Sequence, residues 1–142
     1  MLRIDTTKDR GRGVFADAFI PRGTVLEEAP VIVIPPSQLQ AIKSTLLFEY
    51  FFHWNVNGED GCAICLGYGS IYNHSSAAAN AHYVRLYSES KIRFVAIRDI
   101  HVGEEILTNY NGDTECRRIV WFEETRSKIS SNPAAQSHRH RS

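Results

Sequence analysis

Tyr72-Asn73-His74-Ser75, led in by Gly67-Tyr68-Gly69-Ser70-Ile71 and followed by Asn80, is the stretch on which the reading of this chain turns. Small residues that let backbones approach closely run directly into side chains that compete with the backbone for hydrogen bonds, and an ordinary strand needs none of these. Ile71 and Tyr72 supply apolar anchors, and Val84 and Leu86 resume a strand soon afterwards. Taken alone, the segment reads as a polar turn between two strands. A binding or catalytic site is the sharper alternative, and it needs partners elsewhere in the chain.

At 142 residues the chain is expected to form one domain, large enough to bury most of its apolar surface. Sixteen basic and sixteen acidic residues cancel, so net charge argues for neither nucleic acid nor a membrane surface as partner. The basic residues are twelve arginines and four lysines, scattered and interleaved with acids. No apolar run approaches the roughly 20 residues that span a bilayer. Met1-Leu2-Arg3-Ile4-Asp5 has no signal-peptide apolar region, so an intracellular location, nuclear or cytoplasmic, is expected.

Three cysteines, Cys62, Cys65 and Cys116, argue against a disulfide framework. Cys62-Ala63-Ile64-Cys65 has zinc or redox spacing, but a closed zinc site needs four ligands and there is no second such pair. A buried strand is the reading preferred for this segment, with no metal site.

In chain order the pattern is short strands with turn punctuation and almost no helix. Lys8–Gly13 reads as a turn before Val14-Phe15-Ala16, and Val31-Ile32-Val33-Ile34 as a strand bracketed by Pro30 and Pro35. Ser37 to Lys43 reads as a short helix with Ser37 as N-cap. The aromatic run from Leu46 to Trp54 favours strand, and Asn55 to Gly61 a polar loop tip. His82 to Tyr87 and Ile92 to Arg98 form a plausible hairpin. Ile106 to Tyr110 is a further strand, and Asn111-Gly112-Asp113 a strong turn signal. Domain limits of 1–126 are expected, with 127–142 a disordered polar and basic tail.

Three signals line up across the chain: Gly11-Arg12-Gly13-Val14-Phe15-Ala16, then Tyr72-Asn73-His74-Ser75 with Asn80, then Gly103-Glu104-Glu105-Ile106-Leu107-Thr108-Asn109-Tyr110. Each is weak alone. In this order and at these separations they resemble the SET domain of protein-lysine methyltransferases, from about Asp5 to about Phe122. The resemblance implies a mainly β, β-clip-like fold of several small antiparallel sheets, with a pseudoknot near the C-terminus. It implies S-adenosyl-L-methionine as methyl donor and a lysine of a protein substrate as acceptor, a histone tail being the leading candidate.

Such a reaction is a displacement at a sulfonium carbon, so the protein must position the groups, exclude water and receive a neutral amine. An ammonium about 4 Å from a sulfonium is opposed by roughly 4 kcal/mol at an effective dielectric of 20, or about 3 pKa units. No dedicated carboxylate base is therefore required.

By resemblance, Tyr110 is the catalytic tyrosine whose hydroxyl sits beside the transferring methyl. Gly11, Arg12 and Gly13 match a turn whose backbone contacts the cofactor, where a side chain would block approach. Asn73 matches a cofactor-binding asparagine, and His74 either a cofactor contact or a buried structural histidine. Tyr83, Trp121 and Phe122, with Tyr110, are candidates for the lysine channel, and each could equally be core.

The chain also departs from the family pattern. Ser70 stands where many members have arginine, Ser76 where cysteine is usual, and Ala77-Ala78-Ala79-Asn80 replaces a shorter segment. Asn109 replaces the usual aspartate, Thr108 a frequent Phe or Tyr, and no Cys-x-Cys follows Tyr110, so the zinc-binding post-SET module is expected to be missing. A homodimer could then complete the lysine channel. The alternative function is a catalytically weak module of the same fold that only binds a peptide or protein partner.

Overall fold

A ten-residue strand, Val25–Ile34, organises the computed structural model, which describes residues 1–109. It is β3 in the order β1 (Leu2–Thr6), β2 (Arg12–Ala16), β3, α1 (Leu39–Lys43), β4 (Phe52–Val56), β5 (Glu59–Cys65), β6 (Asn73–His74), β7 (Ala81–Leu86), β8 (Lys91–Ala96) and β9 (Leu107–Asn109). The first half of β3 pairs antiparallel with β8 as far as Pro30, and the second half pairs with β5 from Val31 onward. Pro30 C=O accepts from Leu66 N–H while Val31 N–H still donates to Ser90 C=O, so the missing proline N–H falls on the β5 side and the two ladders meet at this residue. Two small sheets are thereby joined into one curled sheet of order β4-β5-β3-β8-β7-β9-β6, beside a two-stranded β1–β2 sheet. The fold is mainly β, as expected.

The curl brings distant strands together over one apolar core. Phe52 of β4 meets Tyr83 of β7 edge-on at 5.2 Å, and Tyr72 stacks on Phe94 at 4.5 Å. Val14, Ile20, Ile92, Ile100 and Ile106 are completely buried with them, each contributing roughly 1.5–3 kcal/mol of apolar burial. Cys62 and Cys65 lie in β5 and are buried, as read from the sequence. Among the described residues no helix is long and apolar enough to cross a membrane, and no group of three or more His, Cys, Asp or Glu could hold a metal ion.

Three local expectations need correction. Ser37 is not a helix cap: Pro36–Gln38 forms a 3-10 turn, and Gln38, without a side-chain cap bond, leads into α1. Leu46–Glu49 is a 3-10 turn rather than strand, because Thr45 accepts from Leu47 N–H and starts a helical turn. Phe48 and Phe51 then fall on one side, 5.8 Å apart, against a second small core around Cys62. The expected loop from Asn55 to Gly61 is mostly strand. Its tip is only Asn57-Gly58, both at positive φ, 52° and 83°, the pair that suits a two-residue hairpin.

The β7–β8 hairpin forms, running from Ala81↔Ala96 to Leu86↔Lys91. The short β9 is parallel to both its neighbours, β6 and β7. His74 and Ala81 both pair with Thr108, so the intervening residues 75–80 must cross over β9 to pass from one side of it to the other. Parallel neighbours normally need a long crossover. A six-residue loop suffices here because it spans one strand, and β9 is thus threaded beneath it. This is the described part of the expected pseudoknot. Tyr110, Cys116, Trp121, Phe122 and the limit at residue 126 lie outside the described residues.

Candidate functional site

Glu105 is where the three motifs meet. A bridge between Phe15 and Glu105 lays the closing motif against β2, reinforced by Ile106 N–H donating to Val14 C=O at 2.7 Å and Ala16 N–H to Glu104 C=O at 2.9 Å. Successive side chains along an extended segment point to opposite sides. Glu104 therefore turns back locally, accepting from His101 N–H at 2.6 Å, while Glu105 turns inward with its side chain 12% exposed.

Asn73 is 3% exposed, and its amide donates to Glu105 Oε2 at 2.7 Å and to Arg12 C=O at 3.1 Å. Arg10 Nη2 donates to Glu105 Oε1 at 3.0 Å. One carboxylate thus ties the opening turn to the middle motif through two charge-assisted bonds, the stronger class of hydrogen bond. Both N–H groups of the Asn73 amide are used within the protein.

Gly13 has a reason to be glycine inside the protein that the sequence did not show. A Cβ there would collide with Glu105 Oε2 and lie 2.9 Å from the Thr7 methyl and 3.1 Å from Asn73 Nδ2. The space is taken from inside, by the carboxylate and amide. Gly11 has a φ of 70°, in the left-handed region, and Arg12 beside it is exposed.

Asn80 holds β9 in place. Its side chain donates to Glu105 C=O and accepts from Leu107 N–H, both at 2.8 Å, and its backbone N–H donates to Leu107 C=O at 3.0 Å. Thr108, 4% exposed, donates to Asn73 C=O at 3.4 Å, and its own carbonyl accepts from Ser75 N–H at 3.1 Å. His74 is half-buried in β6, opposite Thr108. Thus Gly11, Arg12, Gly13, Asn73 and His74 are brought together.

Tyr83 is placed elsewhere. It is 9% exposed in the aromatic cluster, 5.2 Å from Phe52 and 5.9 Å from Phe94, with the Arg85 guanidinium over its ring at 5.4 Å. It is core first, with one edge near the surface.

The unusual residues have local tasks. Ser70 donates to Cys65 C=O at 2.7 Å, closing the turn that leads into Tyr72. The alanine segment is a surface turn held by Ser75 Oγ accepting from Ala78 N–H at 2.9 Å and Arg98 donating to Ala78 C=O at 2.7 Å. Sequence reasoning passed over Glu105 and Arg10 as site residues. Glu105 stood in the quoted closing motif, and only its pairing with Asn73 sets it apart from Glu104.

A threaded β9 meeting a glycine turn and a buried asparagine is the arrangement expected from the three motifs. The SET domain model matches residues 11–111. The chain belongs to the SET-domain family of protein-lysine methyltransferases. A Schizosaccharomyces pombe relative, named as a histone-lysine N-methyltransferase specific for H3 lysine-37, is 34% identical over 130 residues, spanning 91% of this chain and 82% of that protein. Among solved structures, a Plasmodium falciparum protein assigned as a histone methyltransferase aligns with a TM-score of 0.60 at 23% identity, covering 80% of this chain and 95% of that one. ATXR5, solved in complex with histone H3.1 mono-methylated on R26, aligns with a TM-score of 0.60 at 19% identity, covering 79% of this chain and 57% of that one. At these identities the structures show the shared fold.

Proposed function

We propose that this methyltransferase uses S-adenosyl-L-methionine to methylate a lysine of a histone tail, histone H3 being the first substrate to test. The observation that carries the reading is the convergence on Glu105 of the glycine turn, Asn73 and the threaded strand. The name of the Schizosaccharomyces pombe relative supports the choice of substrate.

The residues present fit the cofactor. The left-handed Gly11 leaves the turn's backbone open to close approach, and exposed Arg12 offers a cation to the carboxylate of the cofactor's amino-acid end. Asn73 and His74 lie on β6, the last strand of the sheet, beside this turn. When bound, the cofactor supplies an electrophilic methyl group. The chain's part is to hold the turn and β6 in fixed register and to keep the site rigid. Apolar packing of Phe52 against Tyr83 of β7, and of Tyr83 against Phe94 of β8, keeps water out of the core. In this reading Tyr110 orients the amine at the transferring methyl, and Trp121 and Phe122 wall the channel. A histone substrate accords with a nuclear or cytoplasmic location, and a second copy of the chain could close the channel.

Incubation with labelled cofactor and a panel of histones, followed by mass spectrometry of the modified lysine, tests the proposal. Methylation of H3 is expected. Tyr110→Phe should lower turnover by on the order of 100-fold while cofactor affinity persists. No calorimetric heat with the cofactor would overturn the reading.

A further inference from the structure

We propose that Glu105 is a positioning residue for the cofactor: it does not touch the ligand but sets the orientation of the two elements that do. The inference rests on the cofactor reading above. Its basis is the contact set of one carboxylate whose side chain is 12% exposed. Oε2 accepts from the Asn73 amide and Oε1 from Arg10, across sequence separations of 32 and 95 residues. The same amide reaches Arg12 C=O, so the orientation of Asn73 and the position of the Gly11–Gly13 turn are set together. Gly13 is the counterpart of this arrangement, because any Cβ there would occupy the place of the carboxylate oxygen.

An amide can rotate and exchange its oxygen and nitrogen ends. Glu105 and Arg12 C=O both demand a donor, so together they allow only the orientation in which the Asn73 nitrogen points inward. The side-chain oxygen then lies on the opposite end. Without the carboxylate, one of the two demands disappears and the amide and turn can shift relative to each other. The backbone of Glu105 is anchored separately, through the bridge to Phe15 and the Asn80 bond to its carbonyl. Removal of the charge therefore acts on the side-chain contacts and leaves the strand pairing in place.

The test compares Glu105→Gln with Glu105→Leu by titration calorimetry with S-adenosyl-L-methionine and by steady-state kinetics on a histone H3 peptide. In Glu105→Gln one end of the new amide meets either Arg10 or Asn73 donor to donor. Its cofactor Kd is expected to rise about 10-fold, the size of one lost charge-assisted bond, and in Glu105→Leu by about 100-fold. The loss should appear in KM for the cofactor and not in KM for the peptide. Adding Arg10→Met to Glu105→Gln should recover part of the affinity, because it removes a donor that glutamine cannot satisfy.

A purely structural role predicts the reverse pattern, in which thermal stability falls, Kd per folded molecule is unchanged and Arg10→Met gives no recovery. That result, or a Glu105→Gln protein that binds like the wild type, overturns the inference while leaving the cofactor reading intact. A wild-type protein that gives no heat with the cofactor overturns the reading and the inference together. Glu105→Gln preserves shape and backbone contacts, so the test stands even if Glu105→Leu fails to fold.

Discussion

Tyr72, wholly buried, donates its phenolic hydrogen to Glu27 Oε1 at 2.7 Å, joining the start of β3 to the residue immediately before Asn73. The other carboxylate oxygen accepts from Tyr68 N–H at 3.4 Å, and a Cβ on Gly67 would lie 2.7 Å from it. A half-buried acid thus clamps the turn leading into the site. Burial holds the Glu27 carboxyl above its ordinary value of 4.5, while the bonds from Tyr72 and Tyr68 act against that rise. The same burial and the nearby Glu27 charge push the Tyr72 phenol well upward, so it remains a donor.

The first prediction is a pH dependence. A carboxyl whose folded pKa exceeds its unfolded one binds protons more tightly when folded. Its contribution is fully present below the unfolded value and is lost as pH rises through the folded one. Wild-type protein should therefore lose a component of stability as pH rises above about 4.5 that Glu27→Gln lacks. Urea midpoints across this range measure it, and parallel curves for the two proteins would count against the effect. Tyr72→Phe, which removes a bond favouring the carboxylate, should enlarge the dependence and cost about 1.5–3 kcal/mol at neutral pH.

Gly13→Ala should cost about 1–3 kcal/mol, since the new methyl must displace the Glu105 carboxylate or shift Thr7 and Asn73. It should also weaken cofactor binding, because relief of the overlap breaks the Asn73 bond. Thermal melts with and without S-adenosyl-L-methionine separate the two effects. An unchanged melting temperature would show that the pocket can yield.

Asn80→Ala should be among the more damaging polar substitutions. It strands Leu107 N–H and Glu105 C=O beneath the crossing loop, two largely enclosed backbone groups that each lose a partner at 2.8 Å. A loss on the order of 3 kcal/mol is expected, together with faster amide hydrogen exchange at Leu107. Normal protection at Leu107 would sink this account of the loop.

Cys62 should be chemically inert in the folded protein. Burial pushes its thiol up to about 11, and the side chain is fully enclosed. At pH 8, modification of Cys62 by a thiol reagent should follow global unfolding, with peptide mass spectrometry locating the label. Rapid labelling of Cys62 under native conditions would contradict the burial seen here.

Local pattern was enough to establish a strand-rich chain, the β7–β8 hairpin, the buried Cys62–Cys65 segment and the order of the three motifs, because alternation and turn chemistry act over a few residues. It failed at Leu46–Glu49, where aromatic content suggested strand and a threonine cap with a three-residue packing interval gave a helical turn instead. It also could not choose between Glu104 and Glu105. Both occur in one motif, and their directions are opposite because the bridge to Phe15 sets the register of that segment against β2. Gly13 shows the same division: its smallness is plain in the chain, but the groups that require it come from 60 and 92 residues further along. Contacts at such separations carry no local periodicity. They exist only because β9 passes beneath residues 75–80 and brings the closing motif against the opening one.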